Sequence, residues 1–224
     1  MIEHVFRRVS LCPAIDEVYV ATCDEEIRSA AKGFRANVIM TSGLHERAVD
    51  RVAEAAGHFA ADIVVMIQGD EPMITPEMIH TALDPLQTDS SISCVNQVHR
   101  ITTQQEFIDP NTIKVVADLN GNALYFSRSP IPHVNLNETT AKVFKQVCVI
   151  PFTRQSLEEF SQLSASPLER VESIDMLRLL EHGRNVRLAE TFVETHSVDT
   201  PADLQFVQTL MNDDPLLRQY VDLD

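Results

Sequence analysis

Three short apolar runs in the first seventy residues constrain the fold more than any other feature of the chain. EVYVAT (17–22), NVIMTS (37–42) and IVVMIQ (63–68) are too short for helices and rich in β-branched residues. Their apolar residues follow one another without polar alternation, the pattern of strands covered on both faces. Segments of helical period lie before and between them. MIEHVFRRVSL places Ile2, Val5, Phe6 and Val9 on one stripe, Asp24 can cap EEIRSAAKGF, and HERAVDRVAEAAGHF supplies the next helix. Helix and strand in alternation predict an α/β domain with a largely parallel sheet.

The second half is more mixed. SISCVNQVHR, TIKVVAD and ALYFSR read as strands, with a hairpin turn at Asn120-Gly121 between the last two. VFKQVCVIPF reads as one strand, RQSLEEFSQL and the longer LERVESIDMLRLLEHG as helices, and Gly183 as a helix C-cap. VRLAETF is a further strand, and PADLQFVQTLM opens on Pro201 as a final helix. The expected organisation is one domain over residues 1–211 and an acidic, loosely held tail over 212–224.

The run IVVMIQ ends abruptly in Gly69, Asp70, Glu71 and Pro72. Ligands of an open α/β sheet bind beyond the carboxyl ends of its strands, so these two acids fall on the functional edge. An ordinary Gly, Asp and Pro turn would read the same way. HSVDTPADL (196–204) puts Asp199 at a second strand-to-helix junction, where it could also serve as an N-cap beside Pro201. Two carboxylates at neighbouring strand ends suit a magnesium ion, which takes one or two carboxylates and leaves its other positions to water and phosphate.

Charge sharpens that reading. The 224 residues carry 33 acids and 18 bases, a net charge of −15, which repels a phosphate backbone and argues against a nucleic-acid partner. An anionic small substrate would need a metal ion and locally placed Arg or Lys. No run approaches the roughly 20 apolar residues of a membrane span. MIEHVFRRVS lacks the apolar stretch of a secretory signal, so a cytoplasmic location is expected. Cys12, Cys23, Cys94 and Cys148 are far apart, and reduced thiols are expected rather than a zinc site.

QGDEP, YFSRxxIP, the SPLERVESIDMLRLLEHG segment and SVDTPADL, in that order and with EVYVATCDEEI, VIMTS and TIKVVAD, resemble the sugar-acid cytidylyltransferases over residues 1 to about 210. The resemblance implies a three-layer, Rossmann-like nucleotide-diphospho-sugar transferase fold. It implies CTP and a small acidic sugar as substrates, magnesium as cofactor and a homodimer. Asp70 and Asp199 match the family's metal ligands and catalytic acids. Gln68 and Tyr125 match sugar-site residues, Arg128 matches a partner for the sugar carboxylate, and His45 and Arg51 match a loop near the nucleotide.

Three departures stand out. The family's first strand and PARxxSxRxPGKxL loop, which hold the triphosphate, have no counterpart here, so open strand edges are expected. HERAVDR has Arg47, Ala48 and Val49 where the family has Ser-Gly-Thr. QVCVIPF has Gln146 and Ile150 where the family has a sugar-binding His and Tyr, while Cys148, in place of a glycine, reads as a packing residue. These departures leave a second expectation open, a non-enzymatic relative unable to hold CTP.

Overall fold

A computed structural model of the chain describes residues 1–136, 141–194 and 196–221. In order, the elements of the first half are α1 (Ile2–Ser10), β1 (Tyr19–Thr22), α2 (Glu25–Gly33), β2 (Asn37–Met40), α3 (Ala48–Ala56), β3 (Ile63–Ile67), α4 (Pro76–Thr88), β4 (Val95–Arg100) and α5 (Gln104–Ile108). The second half holds β5 (Lys114–Ala117), β6 (Ala123–Ser127), β7 (Phe144–Gln146), β8 (Val149–Thr153), α6 (Arg154–Gln162), α7 (Pro167–Glu172), α8 (Met176–Glu181), β9 (Arg187–Thr191), α9 (Pro201–Asn212) and α10 (Arg218–Val221).

β3 shows why its sequence is apolar throughout. Val64 and Met66 enter one core with Val49 of α3, Phe160 of α6 and Met176 and Leu177 of α8. Ile63, Val65 and Ile67 pack into a second core with Val5 and Val9 of α1 and Met78 and Ile79 of α4. The strand is therefore covered on both faces, and the architecture is helix, sheet, helix.

The sheet is less parallel than the sequence pattern suggests. Among the described residues β1–β2 and β4–β9 are parallel ladders, whereas β3–β8, β4–β7, β5–β6 and β5–β7 are antiparallel. The largest sheet runs β6-β5-β7-β4-β9, and an isolated bridge from Cys94 to Phe152 links it to the β3–β8 pair. Among the described residues β1 pairs only with β2 and β3 only with β8, although α3 packs against both β1 and β3.

Two expected elements are each broken in two. VFKQVCVIPF is divided between two sheets: β7 lies between β5 and β4 as far as Gln146, and β8 then turns to β3 from Val149 onward. The expected long helix stops at Ser173, whose φ of 58° lies in the left-handed region, and restarts as α8. That strained position is held by Arg47, whose Nη1 donates to Ser173 Oγ at 2.6 Å. Residues 76–88, to which the apolar pattern assigns no element, form α4, capped by Thr75 with Pro76 in its first turn. The Asn120-Gly121 turn is present, with Gly121 at φ 80° as such a turn requires.

The tail also differs from expectation. Asp214 pairs with Arg8, and Tyr220 is buried against His4 and Arg8. Residues 222–224 lie outside the described residues.

Candidate active site

An open cavity of about 450 Å³ lies where the carboxyl end of β3, the β7–β8 junction, the α7–α8 break and the start of α9 converge. The two interruptions of expected elements shape its wall directly. The β7–β8 junction contributes Cys148, and the α7–α8 break contributes Ser173, Ile174 and Asp175.

Asp70 and Asp199 meet here. Val198 N donates to Asp70 O at 2.9 Å, tying the segment after β3 to the one before α9. Asp199 is not the cap of α9. That task falls to Thr200, whose hydroxyl accepts from Asp203 N while Asp203 Oδ2 accepts from Thr200 N, a reciprocal capping box. The Asp199 carboxylate is left to the cavity, with Ser197 Oγ donating to it at 3.0 Å.

The environment of Asp70 suits a cation. Its Oδ1 is buried without a hydrogen-bond partner among the described residues. Burial, with a smaller contribution from the Asp199 charge, holds its carboxyl above the usual carboxylate range. Glu71 is more deeply buried, and desolvation together with the Asp70 charge pushes it up to about 7. A buried, orphaned carboxylate oxygen facing a second carboxylate is unfavourable alone and is relieved by a hard cation. Among the described residues no group of three or more His, Cys, Asp or Glu side chains is arranged to hold a metal. Two carboxylates on one wall, Asp70 and Asp199, could hold an ion that draws most of its ligands from water and phosphate, as magnesium does.

Arg128 lines the same cavity and is held by carbonyls. Nε donates to Glu172 O at 2.8 Å and Nη1 to Pro110 O at 2.9 Å. Among the described residues its side-chain hydrogen bonds go to no carboxylate, so the surface ion pair that an arginine usually makes is not its role. Gln68 also lines the cavity, one residue beyond β3.

Three sequence candidates stand elsewhere. Tyr125 does not reach the cavity wall; its hydroxyl donates to Glu172 Oε1 at 3.2 Å, and Glu172 in turn takes the Arg128 backbone N–H at 2.9 Å, so Tyr125 supports Arg128 from behind. His45 is paired with Glu54, and Arg51 donates to Thr41 Oγ1 at 2.6 Å, both in the region after β2. The chain's own groups hold these two side chains away from the cavity wall. Cys148 lines the cavity, but burial and the Glu71 charge hold its thiol well above the ordinary value, which fits packing and not nucleophilic attack.

The structure adds residues that sequence reasoning did not single out. Lys145 of β7, ion-paired with Glu106 at 2.5 Å, brings a second cation to the wall. Asp175, which accepts from Val49 N at 3.0 Å, and His196, edge-on to Phe206 at 5.2 Å, also line it. Lys145 adjoins Gln146 in the segment that departs from the family pattern, the one sequence signal that pointed toward it.

Comparison with known proteins gives the family and the fold. The cytidylyltransferase family model matches residues 1–197. A 3-deoxy-manno-octulosonate cytidylyltransferase of Geobacter metallireducens is 41% identical over 92% of this chain and 85% of its own length. One of Solibacter usitatus is 41% identical over 94% and 83%. Among solved structures, CMP:2-keto-3-deoxy-manno-octonic acid synthetase complexed with CTP superposes with a TM-score of 0.85 at 39% identity, over 94% of this chain and 87% of that one. A 4-diphosphocytidyl-2C-methyl-D-erythritol synthase of Anaerococcus prevotii, 14% identical with a TM-score of 0.64 over 94% and 88%, shares the fold. The chain belongs to the cytidylyltransferase family.

Proposed function

We propose that the protein transfers the cytidylyl group of CTP to the anomeric hydroxyl of a 3-deoxy-2-keto sugar acid, with 3-deoxy-manno-octulosonate as the first candidate because the relatives' names carry it. The observation that supports this reading best is the meeting of Asp70, Asp199 and Arg128 on one cavity wall. In the reaction the anomeric oxygen bonds to the α-phosphorus, the bond from that phosphorus to the β-phosphate oxygen breaks, and pyrophosphate leaves. The hydroxyl proton passes to water.

Asp70 and Asp199 would hold a magnesium ion, which when bound neutralises charge on the phosphoryl oxygens. The chain's own residues orient the acceptor. Arg128 has Nε and Nη1 anchored on carbonyls, so its guanidinium plane is fixed before the sugar carboxylate arrives. Lys145 adds positive charge to the same wall, and Gln68 offers hydrogen bonds to the sugar. His45 and Arg51 are assigned to the nucleotide side. A homodimer in the cytoplasm completes the reading, and sedimentation as a single monomeric species at micromolar concentration would remove the dimer from it.

The test is pyrophosphate release from CTP with a panel of 3-deoxy-2-keto acids, with magnesium and with excess EDTA. Release that needs both acid and magnesium is expected. Release no faster than from CTP alone, with every acid, would overturn the assignment.

A further inference from the structure

Gln146 ends β7, with its backbone N–H donating to Ile113 O at 2.8 Å and its side chain on the cavity wall. Its amide has two faces, and the surrounding hydrogen bonds determine which one the cavity sees. Nε2 donates to Asn96 Oδ1 at 2.6 Å. Asn96 is fully buried, and its own Nδ2 donates to Gln97 O at 2.7 Å and Val147 O at 3.3 Å. Two backbone carbonyls can only accept, so Asn96 Nδ2 must face them and Oδ1 must face Gln146. Turning the Gln146 amide over would set its oxygen against that of a fully buried asparagine. The atom left over is Gln146 Oε1, which takes no partner among the described residues.

We propose that Gln146 sets acceptor specificity by presenting this amide oxygen to a hydroxyl of the sugar acid, an inference that rests on the transferase reading above. An amide oxygen accepts and cannot donate, so it rejects a carboxylate or phosphate oxygen and selects an O–H. The rest of the wall sorts the acceptor the same way: its carboxylate goes to the cations Arg128 and Lys145, leaving a hydroxyl as the group that suits Oε1. Where the resemblance has a histidine, whose ring can offer either a donor or an acceptor, this chain has an amide oxygen that can only accept. Asn96 is the positioning residue that fixes the choice.

The experiment measures kcat/KM for the best acid of the panel and for analogues in which one hydroxyl at a time is replaced by hydrogen or fluorine. It is run on the wild-type protein and Gln146→Met, with KM for CTP and Tm as controls. For one hydroxyl position, the wild type should disfavour both analogues by roughly tenfold or more, because neither can donate. Gln146→Met should lose that discrimination while its KM for CTP and Tm stay near wild type. Discrimination unchanged in Gln146→Met, or absent at every hydroxyl position in the wild type, would overturn the inference while leaving the transferase reading intact. A wild type that turns over no acid would instead overturn the transferase reading itself.

Discussion

Asp70 is placed where a carboxylate is least comfortable and most useful. Its Oδ1 is buried without a partner among the described residues, its carboxyl is held above the usual range first by burial and then by Asp199, and the pyrrolidine of Pro72 follows two residues later. Removing the negative charge while keeping the shape should separate stability from function. Asp70→Asn is expected to raise stability in magnesium-free buffer by about 1 kcal/mol, since an uncompensated buried acid is costly. The same change should lower magnesium-dependent turnover on the order of a hundredfold. Urea unfolding with EDTA and pyrophosphate release with magnesium check the two halves. A variant that is both less stable and fully active would contradict the assignment. Gly69 beside it is needed for a different reason: a Cβ there would sit 3.1 Å from Ile2 Cδ1, so the residue lets α1 approach the turn closely.

At the scale of elements, the end of one helix decides whether Asp199 is available. Thr200 and Asp203 complete the N-terminus of α9 between them, and in doing so hold Asp199 N through Asp203 Oδ2 at 3.2 Å. Thr200→Ala should therefore cost about 1 kcal/mol of stability through the lost cap. It should also lower kcat more than that loss of folded protein explains, because Asp203 Oδ2, which holds Asp199 N, loses the Thr200 hydroxyl that donates to it at 2.8 Å. Thr200→Ser should restore both, and turnover of Thr200→Ala equal to wild type at a temperature well below its Tm would count against the coupling. The same scale shows what the sequence made legible. Strands with both faces covered, such as β3, were readable because neither side needs polar residues; Asp70 was readable because it closely follows β3, and Asp199 because it stands just before the Pro201 start of α9. The break at Ser173 was not, since its one side-chain partner among the described residues, Arg47 at the start of α3, lies 126 positions away and a serine at positive φ leaves no local mark. The division of 144–153 into β7 and β8 was equally hidden, because an apolar run does not say that it changes partners at Val147. His45, Arg51 and Tyr125 matched the family pattern in sequence, yet Glu54, Thr41 and Glu172 hold their side chains off the cavity wall.

At the scale of the molecule, the two ends of the chain clasp each other next to the site. Arg8, almost wholly buried in α1, pairs with Asp214, donates from Nε to Tyr220 Oη at 3.1 Å and from Nη1 to Ile74 O at 3.3 Å. Ile74 lies four residues beyond Asp70, so the tail steadies α1 and α1 steadies the loop that carries the acids. His4 joins the clasp through Nδ1 and the Tyr220 hydroxyl at 3.0 Å. Its pKa is lowered by burial first, then by the N-terminal ammonium and Arg8, against a smaller opposing effect of Glu3. A histidine whose folded pKa lies below its unfolded value of 6.5 contributes stability above pH 6.5 and loses it as pH falls through the folded value. Glu71, pushed up to about 7, acts in the opposite sense over part of this range, so the pH profile of the wild type alone does not isolate the clasp. The comparison that does is the Tm of the wild type minus that of His4→Gln. This difference should be largest near pH ~7.5 and shrink or change sign by about pH 5, as the imidazole takes up a proton beside Arg8 in a half-buried place. A difference independent of pH would show that His4 carries no titrating share of the clasp.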